Sequence, residues 1–117
     1  MAESILKTKS YAFAIEVVRL CRLLVSENKE YVISKQLLRS GTGVGALIRE
    51  AEFAQSSKDF INKMSIALKE ANETIYWLDL LKDTDYLQFN QHQDLQKKCK
   101  ELVAMLVSSV KTAKSKL

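Results

Sequence analysis

Proline is absent from this chain of 117 residues; glycine occurs three times, cysteine twice and histidine once. Without proline or scattered glycine to punctuate it, the chain is expected to form long uninterrupted helices. The single histidine, His92, excludes the paired Glu-x-x-His motifs of a di-iron bundle, and no glutamate stands three residues before it. It is read as a solvent-facing residue at a helix start. Cys21 and Cys99 lie far apart among apolar helical neighbours, with no base or electropositive setting in sequence, so they read as reduced core thiols rather than nucleophiles, a disulfide or a metal pair. No apolar run approaches the ~18 residues needed to cross a bilayer. Met1-Ala2-Glu3-Ser4 lacks the pattern of a secretory leader. A cytoplasmic protein without a membrane role is expected, and no metal, cofactor or catalytic residue is indicated.

What is present is concentrated. All three glycines fall in Arg39-Ser40-Gly41-Thr42-Gly43-Val44-Gly45-Ala46-Leu47-Ile48-Arg49-Glu50. The order G-x-G-x-G matches neither the Walker loop nor the dinucleotide fingerprint, and no strand precedes it. Val44, Leu47, Ile48, Ala51 and Ala54 recur at helical spacing, so the stretch reads as helix interior. Three interior glycines cost such a helix on the order of 2–3 kcal/mol relative to alanine. Close packing of another backbone against Gly41 and Gly45 is the expected compensation.

Apolar periodicity places four helices at roughly 7–27, 34–55, 57–82 and 90–114. The first carries two adjacent stripes, Phe13, Val17, Leu20 and Leu24 beside Tyr11, Ala14, Val18, Cys21 and Val25. The second is expected to start at a Ser34 N-cap behind an apolar Tyr31-Val32-Ile33 staple. Ser56 or Ser57 caps the third, with Asp59 in its first turn. Phe60, Met64, Ala71, Ile75 and Leu78 hold its stripe, widened by Ile61, Trp77, Leu80 and Leu81. Asn90 and Gln93 are spaced as a capping box for the fourth, which Leu95, Cys99, Leu102, Leu106 and Val110 stripe. Short loops between four such helices predict an all-α, antiparallel up-down-up-down four-helix bundle in one domain. The wide apolar faces of helices one and three predict a homo-oligomer.

Net charge is +4, and its distribution is uneven. Residues 1–93 carry twelve cationic and twelve acidic side chains, whereas residues 94–117 carry six lysines against Asp94 and Glu101. This tail reads either as a contact for nucleic acid or another anionic partner or as lysines suited to a helix C-terminus. Glu50 and Glu73 fall near apolar faces and are expected to form a buried polar bridge between helices two and three.

Leu37 through Ala46 followed by Ile48-Arg49-Glu50-Ala51, together with Ser57-Lys58-Asp59-Phe60 and Ser65 through Thr74, resembles the bacterial four-helix-bundle family founded on proteins encoded by intervening sequences in 23S rRNA genes. Leu47 departs from the family pattern, which has Asn there. The resemblance implies a ring-shaped homopentamer and no enzymatic activity; some members look like basic, nucleic-acid-binding accessory proteins of retroelements. Five chains at +4 would carry roughly +20, a strong local field.

Two functions remain open on these residues. The bundle binds RNA or DNA through backbone phosphates, using Arg19, Arg22, Arg39, Arg49, Lys97, Lys98 and Lys100. Alternatively it is a scaffold for a protein partner, and the lysines serve solubility.

Overall fold

The computed structural model describes residues 2–117, with side chains from Ser4 onward; Met1, on which the leader reading begins, lies outside the described residues. Four helices, α1 (Ala2–Asn28), α2 (Ile33–Glu52), α3 (Ser57–Asp83) and α4 (Phe89–Ser115), make an antiparallel bundle of 47 × 21 × 19 Å. Each helix packs on its two neighbours, α1 on α2 and α4, and α3 on α2 and α4; the diagonal pairs do not touch among the described residues. The core is filled by the predicted stripes: Phe13, Val17 and Leu24 from α1, Leu37, Val44 and Ile48 from α2, Met64, Leu78 and Leu81 from α3, and Leu102 and Leu106 from α4.

The helix ends correct several expectations. α1 begins five residues before position 7, because nothing in the sequence breaks it there and Leu6 joins the core. Ser34 lies inside α2 and does not cap it. The Glu30 carboxylate takes that role, accepting from the backbone amides of Val32 at 3.1 Å, Ile33 at 3.0 Å and Ser34 at 2.6 Å. A glutamate three residues before the first residue of the helix reaches the amides a serine cap cannot serve together. Ser34 instead donates its hydroxyl to the Glu30 carbonyl at 2.7 Å. The Tyr31-Val32 staple is exposed to solvent. α2 stops at Glu52 rather than 55 because Asp59 reaches back to accept from the Gln55 amide (3.1 Å), while Ser56 caps α3 by accepting from the Asp59 amide (3.0 Å). The capping box of α4 is built two residues early, from Gln88 and Gln91 rather than Asn90 and Gln93.

Left-handed backbone occurs at Lys29 (φ 55°) and Asp85 (φ 69°), whereas no glycine has positive φ. The glycines therefore do not relieve backbone strain. They allow close approach. A Cβ at Gly41 would lie 2.9 Å from both γ-carbons of Val17 on α1, so α1 and α2 meet there with no room for a side chain. At Gly45 the neighbour is the Ser10 backbone of α1, and a Cβ would meet its oxygen at an ordinary 3.5 Å. Both contacts lie within one chain.

The wide face predicted for α3 is largely absorbed inside the bundle. Leu81 is buried, and Ile61, Trp77 and Leu80 are half-buried, because α3 packs broadly on both α2 and α4. The face of α1 is not absorbed: Tyr11, Leu23 and Val25 stay exposed.

Cys21 and Cys99 are buried, and their thiols donate to the carbonyls of Ser34 and Ala71, each at 3.3 Å. Burial, with the nearby Glu30 charge adding for Cys21, pushes both thiols up to about 12. Thiolate is the reacting form, so neither should react with an aromatic disulfide near neutral pH until urea unfolds the chain. Rapid labelling of the native protein, read by mass spectrometry, would contradict this packing.

Candidate nucleic-acid interface

The seven candidate cations do not converge. α2 and α4 occupy opposite corners of the bundle, so Arg39 and Arg49 cannot share a face with Lys97, Lys98 and Lys100. Arg49 stands over the Tyr11 ring at 4.9 Å from its centroid, a cation–π contact linking α2 to α1. Arg39 lies 3.7 Å from Glu73. Arg19 and Arg22 are exposed on α1 and form no ion pair among the described residues.

Lys98 is engaged by its own chain. It donates to both carboxylate oxygens of Glu16 at 3.0 Å and to Asp94 at 3.1 Å, and these bonds, Glu16 first, raise its pKa. The exposed pairing adds little stability, but it takes Lys98 out of the set open to a partner. Glu101, the other acid of α4, is bound by Lys9 of α1 at 3.0 Å. Glu101 thus turns toward α1, while Asp94 is held within α4. Lys97 and Lys100 remain without an ion pair among the described residues, and with Gln93, Gln96 and the Lys98-bound Asp94 they line an open trough of about 560 Å³ along α4.

Glu50 and Glu73 correct a further expectation. Each links α2 to α3, Glu50 through Lys63 at 3.3 Å and Glu73 through Arg39, but both do so at the rim, with Glu50 exposed and Glu73 half-buried. The buried polar bridge between these helices is Ser40 with Thr74, whose hydroxyls lie 2.9 Å apart. Ser40 falls between Leu37 and Val44, and Thr74 between Ala71 and Leu78, so the spacing that marks the core faces also marks this pair.

His92 is buried, not solvent-facing. Its Nε2 lies 2.7 Å from Asp79 Oδ1, which also accepts from Gln96 at 2.8 Å. Helix four begins one residue earlier than read from sequence, and its first turn packs against the last turns of α3. A second unforeseen cluster is aromatic. Trp77 donates to Glu73 at 3.0 Å, and Tyr76 meets the Trp77 ring edge-on at 4.9 Å. The Glu73–Trp77 spacing of one helical turn was visible in sequence, and Arg39 was among the partners available there to Glu50 and Glu73, with Arg49 and Asn72.

A cleft of about 710 Å³ opens at the end of the bundle formed by the start of α1 and the end of α4. Leu6, Ala51, Phe60 and Met105 floor it, and Ser56, Ser108 and Thr112 are among its hydroxyls. No group of three potential metal ligands occurs among the described residues, and no helix is long and apolar enough to cross a membrane.

These features define a small all-α bundle whose distinctive chemistry is surface charge and exposed aromatic area. Residues 2–108 match the model of the 23S rRNA-intervening sequence protein family, and the chain belongs to that family. It is similar to a crystal structure of a protein with unknown function from the S23 ribosomal protein family of Bacteroides thetaiotaomicron. The two are 52% identical over 95% of this chain and 99% of the other, with a TM-score of 0.93. No curated protein matches the chain.

Proposed function

We propose that this protein is a homo-oligomeric bundle that binds RNA or other nucleic acid through backbone phosphates, with the outer face of α4 as the contact. The supporting observation is the pairing of both acids on that helix. Asp94 is held by Lys98 and Glu101 by Lys9 of α1, while Lys97 and Lys100, without an ion pair among the described residues, line the trough beside Asp94. Lys111 follows eleven residues after Lys100, three helical turns along the same face. The family's printed name, which points to 23S rRNA genes, agrees with an RNA ligand.

Self-association is supported by α1. Tyr11, Ile15, Val18, Arg22 and Val25 repeat at alternating spacings of four and three, the rhythm of a helix–helix seam. Tyr11 and Val25 are exposed, and Ile15 and Val18 are only half-buried. A second copy covering this face would contribute to the ring of five that the family resemblance implies.

The test is fluorescence anisotropy with RNA and duplex DNA over a salt series, on protein whose mass is a multiple of 13.3 kDa by light scattering. Binding should weaken steeply with salt, with a log–log slope near −0.9 for each phosphate contacted on duplex DNA. Lys97→Glu with Lys100→Glu should weaken it at least tenfold, since two attractive contacts become repulsive. Lys98→Glu should matter less, because Lys98 already serves Glu16 and Asp94. Absence of binding at low salt by a well-formed oligomer would overturn the reading in favour of a protein partner.

A further inference from the structure

We infer that the α3 corner of the bundle carries a stacking platform for an unpaired nucleobase, centred on Tyr76, so that the ligand class is single-stranded rather than duplex nucleic acid. This rests on the nucleic-acid reading above and narrows it. Tyr76 is 58% exposed, unusual for a large aromatic on a helix with an otherwise charged and polar outer surface. Its ring is held in place from beneath: it meets Trp77 edge-on with the planes at 74°, and Trp77 is tied to Glu73, which Arg39 flanks. An exposed face on an anchored ring loses little freedom when a base stacks on it, and any base can stack because each presents a π-face.

Cations stand on both sides of this ring at the same height along the bundle. Glu73 places Arg39 of α2 beside it on one side. On the other, Gln96 of α4 bonds Asp79, and the Cys99 thiol bonds the Ala71 carbonyl. These contacts set the adjoining Lys97 and Lys100 level with residues 71–79 of α3. α2 and α4 lie diagonally in the bundle, so the two cationic edges sit on the two faces that meet along α3, with Tyr76 on the corner between them. Two acids near the ring are engaged, Glu73 by Trp77 and Arg39 and Asp79 by His92 and Gln96. A short flexible single strand bent around the α3 corner could seat phosphates at both edges and a base on Tyr76. A stiff duplex keeps its bases stacked internally and offers no free base face.

The experiment compares a single-stranded RNA of about ten nucleotides, within the usual range of single-strand site sizes, with a blunt duplex of the same sequence, on the intact protein. The single strand should bind about tenfold more tightly and quench the emission of Trp77, the one tryptophan. Tyr76→Ala should weaken single-strand binding about tenfold and leave duplex binding unchanged, while Tyr76→Phe keeps the wild-type affinity; circular dichroism checks that each variant is folded. Equal or tighter duplex binding, or an unaffected Tyr76→Ala, overturns the platform while phosphate binding through α4 stands. Failure of both ligands to bind overturns both readings.

Discussion

Gly41→Leu should unfold the protein or separate α1 from α2, with a loss of more than about 3 kcal/mol. A Cβ at this position meets both γ-carbons of Val17 at 2.9 Å, and Val17 is fully buried, so it has no open space to enter. As a β-branched residue in a helix it is also restricted at χ1. Even Gly41→Ala should destabilise: the helix gains about 1 kcal/mol of propensity, but overpacking a filled core costs about 1–3 kcal/mol, so the net is a loss. Gly43→Ala is the internal control. Its Cβ would lie 3.5 Å from the Glu70 carboxylate, the mobile end of a flexible side chain, so it should stabilise by about 0.5–1 kcal/mol. Urea unfolding of the two alanine variants checks the pair, and the same sign for both would refute close approach as the role of Gly41.

Glu30→Ala should cost about 2–4 kcal/mol, because one buried carboxylate satisfies three amides at the start of α2 and hydrogen bonds to charged groups are the stronger class. Burial pushes the Glu30 carboxyl up, but the amides of Ser34, Ile33 and Val32 outweigh it and hold the group below its ordinary 4.5. A carboxyl whose folded pKa is depressed adds stability above its unfolded pKa and loses it as pH falls through the folded value. The wild type should therefore lose this contribution progressively below about pH 4.5. Glu30→Ala should lack that part of the acid sensitivity, and Glu30→Gln, with one acceptor oxygen left, should fall between the two. Parallel acid sensitivity in wild type and Glu30→Ala, measured by urea titration across that range, would show that the carboxylate does not carry the cap.

How far the amino-acid order reaches is clear from particular residues. The four helices, their order and the stripes Phe13–Val17–Leu20–Leu24 and Leu95–Cys99–Leu102–Leu106 were legible, because a period of 3.6 in apolar side chains is a local property that one helix expresses alone. The same holds for the Ser56 cap with Asp59, and for reading Gly41 as a point of close packing. Which residue caps α2 was less legible: Ser34 had the favoured residue type, but Glu30 had the reach, and reach depends on the path of the loop.

Everything that depends on two helices meeting was decided by the tertiary structure. The seven cations look like one set when read along the chain, yet the bundle sends Arg39 and Arg49 to one corner and Lys97 and Lys100 to the opposite one. Glu16 closes on Lys98, and Lys9 on Glu101, at separations in sequence that no periodicity encodes. His92 is buried because α4 docks its first turn on Asp79, and Tyr76 stands between cationic edges because α2 and α4 pack at matching heights on either side of α3. Side-chain pattern determines which face of each helix leaves water; only the docking of those faces determines which polar groups become neighbours.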